Sequence, residues 1–138
     1  RETDSVHLAR WPQAGAAERD PKWDKILKVR TEVQRELEKL RAAGTIGKSL
    51  EAKVLLHLSE PGLQKALQST DLAAILIVSE VELAGSPVGP ESAEVPGLSL
   101  KAEKGTNPKC ERCWNLRKDV GAHAAHPTLC GRCVAALS

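Results

Sequence analysis

The sequence predicts an α+β fold in which a long amphipathic helix packs on a small three-stranded mixed sheet with a short helix, followed by a module that contains all four cysteines. Three observations predict this fold. Apolar residues recur at helical spacing across residues 21–44, they alternate with polar residues in two later segments, and the cysteines form two CxxC pairs near the end. We therefore divide the chain into residues 1–44, 45–105 and 106–138.

The long helix is predicted by a start signal, an apolar stripe and a stop signal. Asp20 can cap the helix, and Pro21 suits the first turn because an N–H would be unpaired there anyway. Gly44 is expected to form a left-handed C-terminal cap. The opposite face is rich in Lys, Arg and Glu, and we interpret it as a solvated surface. The apolar stripe consists of Trp23, Ile26, Val29, Val33, Leu37 and Leu40.

The sequence pattern in the middle of the chain predicts two strands with a short helix between them. Residues 50–58 alternate between apolar and polar side chains, which predicts a half-buried strand with His57 as an ordinary surface histidine. Residues 61–69 fit a short helix that begins near Pro61. Residues 72–83 are mostly apolar and β-branched, which favours a buried strand, with a helical start left open.

The third strand follows a loop. Residues 84–97 combine Gly, Pro and Ser, as loops do, and residues 98–102 alternate again up to the cysteine region. The first two strands would be parallel if the short helix crosses between them.

Composition and charge limit the possible functions. The chain has no Phe or Tyr and three Trp, so its core must depend on Leu, Val, Ile and Ala. No apolar run approaches a membrane-spanning length and no secretory signal is visible, so we expect a soluble cytoplasmic protein without a membrane partner. Residues 101–138 carry seven basic and three acidic residues, a mild indication of a nucleic-acid partner. The sequence begins with Arg1 and contains no Met, so we interpret it as a piece of a longer protein.

The cysteine spacing predicts a four-cysteine zinc-knuckle module. Sixteen residues separate the two CxxC pairs, within the range of known zinc sites, and four thiolates would leave no open position for water. One structural zinc is therefore expected. Disulfides, an iron–sulfur cluster, or replacement of a cysteine by His123 or His126 are the alternatives. The predicted ligands are Cys110, Cys113, Cys130 and Cys133.

The first knuckle carries side chains suited to RNA. Trp114 could stack on an unpaired base, while Arg112, Arg117 and Lys118 could neutralise phosphates. The alternative is that Trp114 only covers the knuckle as its one large apolar group. The residues alone do not separate these two interpretations.

Several segments together resemble a known family. "SVHLARWP", "VRTEVQRELEKLR", "IGKSLEAKV" and "KCERCWNLRKDVG" occur in an order similar to that in the C-terminal region of bacterial isoleucyl-tRNA synthetases. The resemblance covers nearly the whole chain. It implies the end of an anticodon-binding domain, a small α+β junction, and a zinc module that closes on the anticodon stem–loop of isoleucine tRNA.

The resemblance also assigns roles. It makes the four cysteines the zinc ligands and Arg112 and Trp114 the candidates for anticodon contact, with Lys109, Arg117, Lys118 and Arg132 as phosphate contacts. The parent would be an ATP-dependent isoleucine–tRNA ligase, expected to be a monomer, with this region joined to the rest of the synthetase. No class I nucleotide motif is present in these residues, so no catalytic residue and no ATP site is predicted. A zinc-finger tail of a formamidopyrimidine-type DNA glycosylase and a purely structural zinc staple remain the alternatives.

Overall fold

The computed structural model describes residues 5–13, 15 and 20–137. The other positions of the predicted 1–44 and 106–138 segments lie outside the described residues. The helices are α1 (Lys22–Ala42), α2 (Pro61–Gln68), α3 (Leu72–Leu76) and α4 (Gly131–Ala135), and the strands are β1 (Ala52–Leu58), β2 (Glu80–Leu83) and β3 (Leu98–Lys104). Short 3₁₀ turns occupy Val6–Leu8 and Ser49–Glu51. None of the helices in the described part is long and apolar enough to cross a membrane.

Helix α1 begins and ends where the sequence predicts. The carboxylate of Asp20 accepts the backbone N–H of Lys22 at 3.0 Å, and Pro21 already has helical φ and ψ of −63° and −14°. Gly44 has a φ of +69°, so it takes the left-handed conformation in which a Cβ would be strained. Both predicted end signals are confirmed.

The sheet is three-stranded and mixed, with the order β2-β1-β3. β1 pairs with β2 in parallel, because the chain crosses over through α2 and α3, and it pairs with β3 in antiparallel. Leu56 lies in the central strand, opposite Leu83 on one side and Leu100 on the other. The predicted mixed topology is confirmed.

The core lies between α1 and one face of the sheet. Along β1, every second residue from Ala52 to Leu58 is buried, as the alternation predicts. Trp23, which we placed in the helix stripe, is instead 41% exposed because the buried stripe starts one turn later. The buried residues of α1 are Ile26, Val29, Val33 and Leu37.

The helical start that was left open for residues 72–83 is confirmed, whereas the strand is shorter and less buried than predicted. The carboxylate of Asp71 accepts the N–H of Ala74 at 3.2 Å and starts α3. Ile77 then ends the helix with a φ of +58°, and only Glu80–Leu83 pairs with β1. β2 is therefore a short edge strand that is only partly buried.

His57 also differs from its prediction as an ordinary surface histidine. It is half-buried, and its Nδ1 lies 3.1 Å from the carbonyl oxygen of Ala84. The strand places His57 on the polar face, but the start of the loop after β2 covers that part of the face. The histidine helps to hold this loop against β1.

The loop over residues 84–97 is anchored to α1 and to β3. Ser92 Oγ donates to Glu32 Oε2 at 2.7 Å, and Val95 is buried in the core. β3 then leads out of the core to residue 104, where the cysteine module begins to contact the sheet.

Candidate metal centre

The four cysteines converge into one cluster whose geometry fits a tetrahedral zinc ion. All four Sγ atoms lie within 4.8 Å of one another, and the Sγ atoms of Cys113 and Cys130 are 3.8 Å apart. A tetrahedral ion with Zn–S bonds of about 2.3 Å requires sulfur–sulfur separations of about 3.8 Å. Cys110, Cys130 and Cys133 are buried and Cys113 is partly exposed. The donor set and its spacing therefore form a zinc site.

Two of the alternatives to this site, disulfides and a histidine ligand, receive no support from the cluster. All four cysteines are free thiols rather than disulfides. Among the described residues, the metal-binding group consists of the cysteines alone, and neither His123 nor His126 belongs to it. The alternative in which a histidine replaces a cysteine ligand is therefore not needed.

Backbone hydrogen bonds shape the first knuckle around Cys110. The N–H of Trp114 donates to the carbonyl of Cys110, and the N–H of Cys110 donates to the carbonyl of Asn115, both at 2.9 Å. This closure requires Trp114 to adopt a φ of +65°, which is rare for a residue with a side chain. The fold of the knuckle thus fixes the backbone position from which the indole side chain of Trp114 extends.

The second knuckle continues directly into α4. The N–H groups of Cys133 and Val134 both donate to the carbonyl of Cys130, at 2.9 and 3.0 Å, and the N–H of Cys130 points to Cys110 Sγ at 3.4 Å. Gly131 donates to Asp119 Oδ2 at 2.8 Å, and a Cβ on Gly131 would meet the same oxygen at 2.8 Å. A side chain at this position would therefore push the Asp119 carboxylate away from its hydrogen bond with the N–H of residue 131.

The thiols ionise unequally in the absence of metal. Burial opposes ionisation of Cys110, but backbone N–H groups, among them that of Cys130, lower its pKa to about 6. For Cys133, burial and the neighbouring thiols raise the pKa to about 12. Metal binding must displace the protons that remain, so the cluster takes up zinc with proton release.

The predicted RNA-contact residues lie around the knuckles but have different environments. Arg112 Nη1 donates to the carbonyl of Cys133 at 3.0 Å, so this side chain ties the first knuckle to α4. The guanidinium of Arg132 lies beside the sulfur of Cys113, and the hydrogen bond between them raises the pKa of the guanidinium. Arg117 is half-buried, with its Nε buried and unpartnered among the described residues, whereas Lys118 is exposed.

Trp114 is half-exposed and lies beneath two ammonium groups. The indole is 49% exposed, and Lys109 Nζ lies 5.2 Å from its ring centroid. Lys48 Nζ, which belongs to the turn before β1, lies closer, at 4.1 Å. Sequence reasoning missed Lys48, because no local pattern places a residue 66 positions away over the indole.

Ser79 joins the metal module to the sheet. Its buried hydroxyl donates to the carbonyl of Leu50 at 2.5 Å and accepts the N–H of Leu116 at 2.6 Å. Asn107 Nδ2 adds a second contact to Glu80 Oε2 at 2.9 Å. A single hydroxyl thus connects the turn before β1, the start of β2 and the segment after the first knuckle.

We expect Ser79→Ala to lower the free energy of unfolding by about 1–3 kcal/mol, since it removes two hydrogen bonds and leaves a partly buried N–H and a partly buried carbonyl without their partner. Ser69→Ala is the matched control, because the Ser69 hydroxyl is exposed and bonds only within its own helix. Urea denaturation measures the change, and zinc content measured by mass spectrometry should stay the same in both variants. Equal stability of the two variants would contradict a connecting role for Ser79.

Comparison with known proteins identifies relatives of both parts of the chain. Residues 107–136 match a family model described as "Zinc finger found in FPG and IleRS". The isoleucine–tRNA ligase of Pseudomonas paraeruginosa is 42% identical over 95% of this chain and 15% of that protein. The isoleucine–tRNA ligase of Saccharophagus degradans is 42% identical over 96% of the chain and 15% of the relative, and that of Methylococcus capsulatus is 45% identical over 81% and 12%.

These similarities confirm the resemblance inferred from the sequence motifs. The match to the zinc-finger family, together with the sulfur geometry, supports zinc as the metal of the cluster. The chain spans only 12–15% of the length of these curated relatives, which are ligases, and their catalytic core is not contained in its 138 residues.

Proposed function

We propose that this chain is the C-terminal tRNA-recognition region of an isoleucine–tRNA ligase and helps to bind and position the anticodon stem–loop of isoleucine tRNA. The similarity over 95% of the chain to an isoleucine–tRNA ligase carries the proposal. It includes α1 and the sheet as well as the zinc finger. That extent favours the synthetase over a glycosylase, the other protein named for the finger family.

In this proposal one zinc ion has a structural role. Four thiolates complete a tetrahedral shell, so no position is left at which water or substrate could bind the metal. The metal holds the two knuckles together, and the first knuckle presents Trp114. The parent enzyme would bind ATP elsewhere and work in the cytoplasm as a monomer.

Positioning is the contribution that such a region can make to catalysis. Binding energy gained at the anticodon end orients the distant acceptor end of the tRNA in the catalytic core. A rigid link between the zinc module and the rest of the protein is needed for this, and the Ser79 contacts provide one. The partners are therefore the isoleucine tRNA and the remainder of the synthetase.

Trp114 is the side chain best suited to contact an unpaired base. It is half-exposed although it is large and apolar, and its backbone is fixed by the knuckle. Arg112, in contrast, already donates to Cys133 within the module. A change at Arg112 would therefore disturb the metal site as well as any RNA contact, and Trp114 gives the cleaner test.

We expect Trp114→Ala to weaken binding of an isoleucine-tRNA transcript by about 1–3 kcal/mol, the range measured for the loss of base stacking on an aromatic ring. Trp114→Phe is the matched control, since it keeps an aromatic ring for stacking at the same backbone position and should retain most of the affinity. Titration of a labelled transcript, followed by fluorescence anisotropy, measures the dissociation constants. Zinc content must be the same in all three proteins.

Three outcomes would oppose the proposal. Unchanged affinity of Trp114→Ala would leave the tryptophan as a cover for the knuckle and zinc as a staple. Tight binding to duplex DNA without binding to the transcript would revive the glycosylase alternative. No saturable binding of the transcript below about 1 mM, which corresponds to about −4 kcal/mol, would remove tRNA as a ligand of this chain.

A further inference from the structure

The surroundings of Trp114 are formed by two parts of the chain. Lys109 comes from the zinc module and Lys48 from the turn that precedes β1, and both ammonium groups lie over the indole ring. Lys104, at the end of β3, and Lys109 both lie close enough to Glu51 to help lower the pKa of its carboxyl, after the larger effect of the Gly47 N–H. Two lysines from two parts of the chain therefore lie over one half-exposed aromatic ring, and Lys104 lies near Glu51 in the turn that carries Lys48.

The turn that carries Lys48 is held in place on both sides. Glu51 Oε2 accepts the N–H of Gly47 at 2.9 Å, and the N–H of Glu51 donates to the carbonyl of Lys48 at the same distance. Arg41 Nη2 donates to Ser49 Oγ at 3.1 Å, and the N–H of Gly105 donates to the carbonyl of Glu51 at 2.7 Å. The backbone of Lys48 is thus fixed between α1 and the end of β3.

The lysines around Trp114 form no ion pair with a carboxylate in the described part of the chain, unlike several other surface lysines. Lys25, Lys53 and Lys101 lie 2.6, 2.7 and 3.3 Å from glutamate oxygens. Within the described part of the chain, no such ion pair forms at Lys48, Lys104 or Lys109, although the Glu51 carboxylate, which accepts the N–H of Gly47, lies near enough to Lys104 and Lys109 to be stabilised by them. The patch around Trp114 keeps its positive charge available.

We propose that the RNA-binding surface is composite, with Lys48 as a phosphate contact beside the stacking ring of Trp114. The inference rests on the proposed function and extends it from the zinc module to the turn before β1. Trp114 remains 49% exposed with Lys48 Nζ over its ring, so a base that stacks on the exposed part of the ring brings its phosphate close to an ammonium group. A single-stranded nucleic acid supplies both groups together, which an acidic peptide does not.

We expect Lys48→Ala to weaken binding of the isoleucine-tRNA transcript about fivefold at low salt and to reduce the slope of log affinity against log salt by about 0.7, the value for one phosphate contact with a single strand. Lys65→Ala, which removes the same charge from an exposed site on α2, is the matched control and should change neither quantity. Lys48→Arg should retain binding because the charge is kept. Anisotropy titrations at several salt concentrations measure both quantities.

The results separate this inference from the proposed function. If Trp114→Ala weakens binding and Lys48→Ala behaves like Lys65→Ala, the composite surface is wrong and the proposed function stands. If neither Trp114→Ala nor Lys48→Ala weakens binding, or if the unaltered chain does not bind the transcript, both are overturned. Loss of zinc in Lys48→Ala would show that the lysine supports the knuckle instead, and would also overturn the inference.

Discussion

Cys110→Ser is expected to abolish zinc binding and to unfold residues 107–137, while α1 and the sheet remain folded. The buried apolar cluster of the module consists of Cys110, Cys130 and Cys133, with only Cys113, Val120 and Leu129 packed against it. So small a core cannot offset the conformational entropy of about thirty residues, and metal binding, which contributes about 10–16 kcal/mol in zinc-finger peptides, must supply the difference. Native mass spectrometry measures the zinc, and amide hydrogen exchange shows which residues lose protection.

His123→Ala is the matched control for this experiment. It removes a candidate ligand from the same module, but His123 is exposed and does not belong to the sulfur cluster. We expect one zinc per chain and wild-type protection in this variant. Protected amides over residues 107–137 in zinc-free Cys110→Ser would mean that the module folds without metal, contrary to the argument from its small core.

In Cys110→Ser the cysteine module is expected to unfold while the helix–sheet part stays folded, because each part has its own buried core. Among the described residues, the larger cluster contains seventeen buried residues, fourteen from α1, the sheet, α2 and α3 and three from connecting segments (Ile46, Val78 and Val95), and none of them belongs to the cysteine module. The links between the two parts include the Ser79 and Asn107 hydrogen bonds and the lysine–indole contact of Lys48. Loss of the module therefore removes surface contacts from the sheet and leaves its core intact.

The metal cluster could be predicted from the sequence because its geometry is largely local. Each CxxC pair folds into a tight turn, and four soft ligands at this spacing have few arrangements other than a tetrahedron. The long helix and the strands β1 and β3 were predictable for a related reason. Their apolar periods are sustained, and Asp20 and Gly44 mark the ends of the helix.

The segment over residues 72–83 was not predictable in the same way. Short apolar runs have no period that separates a buried strand from a buried helix. Asp71 before the run was a usable signal, since it caps α3, but the end of the helix depends on Ile77 in a left-handed conformation. A β-branched residue rarely adopts that conformation, so no sequence rule would place a helix end there.

The contacts of the site that sequence reasoning missed are contacts between distant segments. Ser79 receives the N–H of Leu116 only because β2 begins beside the first knuckle, and Lys48 covers Trp114 only because its turn lies next to the end of β3. Arg112 appeared free to contact RNA, yet it donates to Cys133 across the module. Pattern and spacing identify which chemical groups are present, whereas these pairings depend on the folded arrangement.

Leu56→Ala is expected to lower the free energy of unfolding of the helix–sheet part by about 2–5 kcal/mol, the cost of a cavity at a fully buried leucine. Leu56 is fully buried in the central strand, with neighbours on both sides of it in the sheet. The chain has no Phe or Tyr that could move into the space, and its aliphatic neighbours are held by the same sheet. A domain of this size is typically stable by about 5–15 kcal/mol, so the loss is a large share of the total.

Leu27→Ala is the matched control, since it removes the same atoms from a leucine on α1 that is 48% exposed. Urea denaturation followed by circular dichroism should show a large shift for Leu56→Ala and a small one for Leu27→Ala, with zinc content unchanged in both. Cys110→Ser removes the module and Leu56→Ala weakens the sheet. Both variants therefore test whether the cysteine module and the helix–sheet part have separate cores. Zinc loss in Leu56→Ala under conditions where the sheet is still folded would contradict that division, since the metal site would then depend on packing that it does not contact.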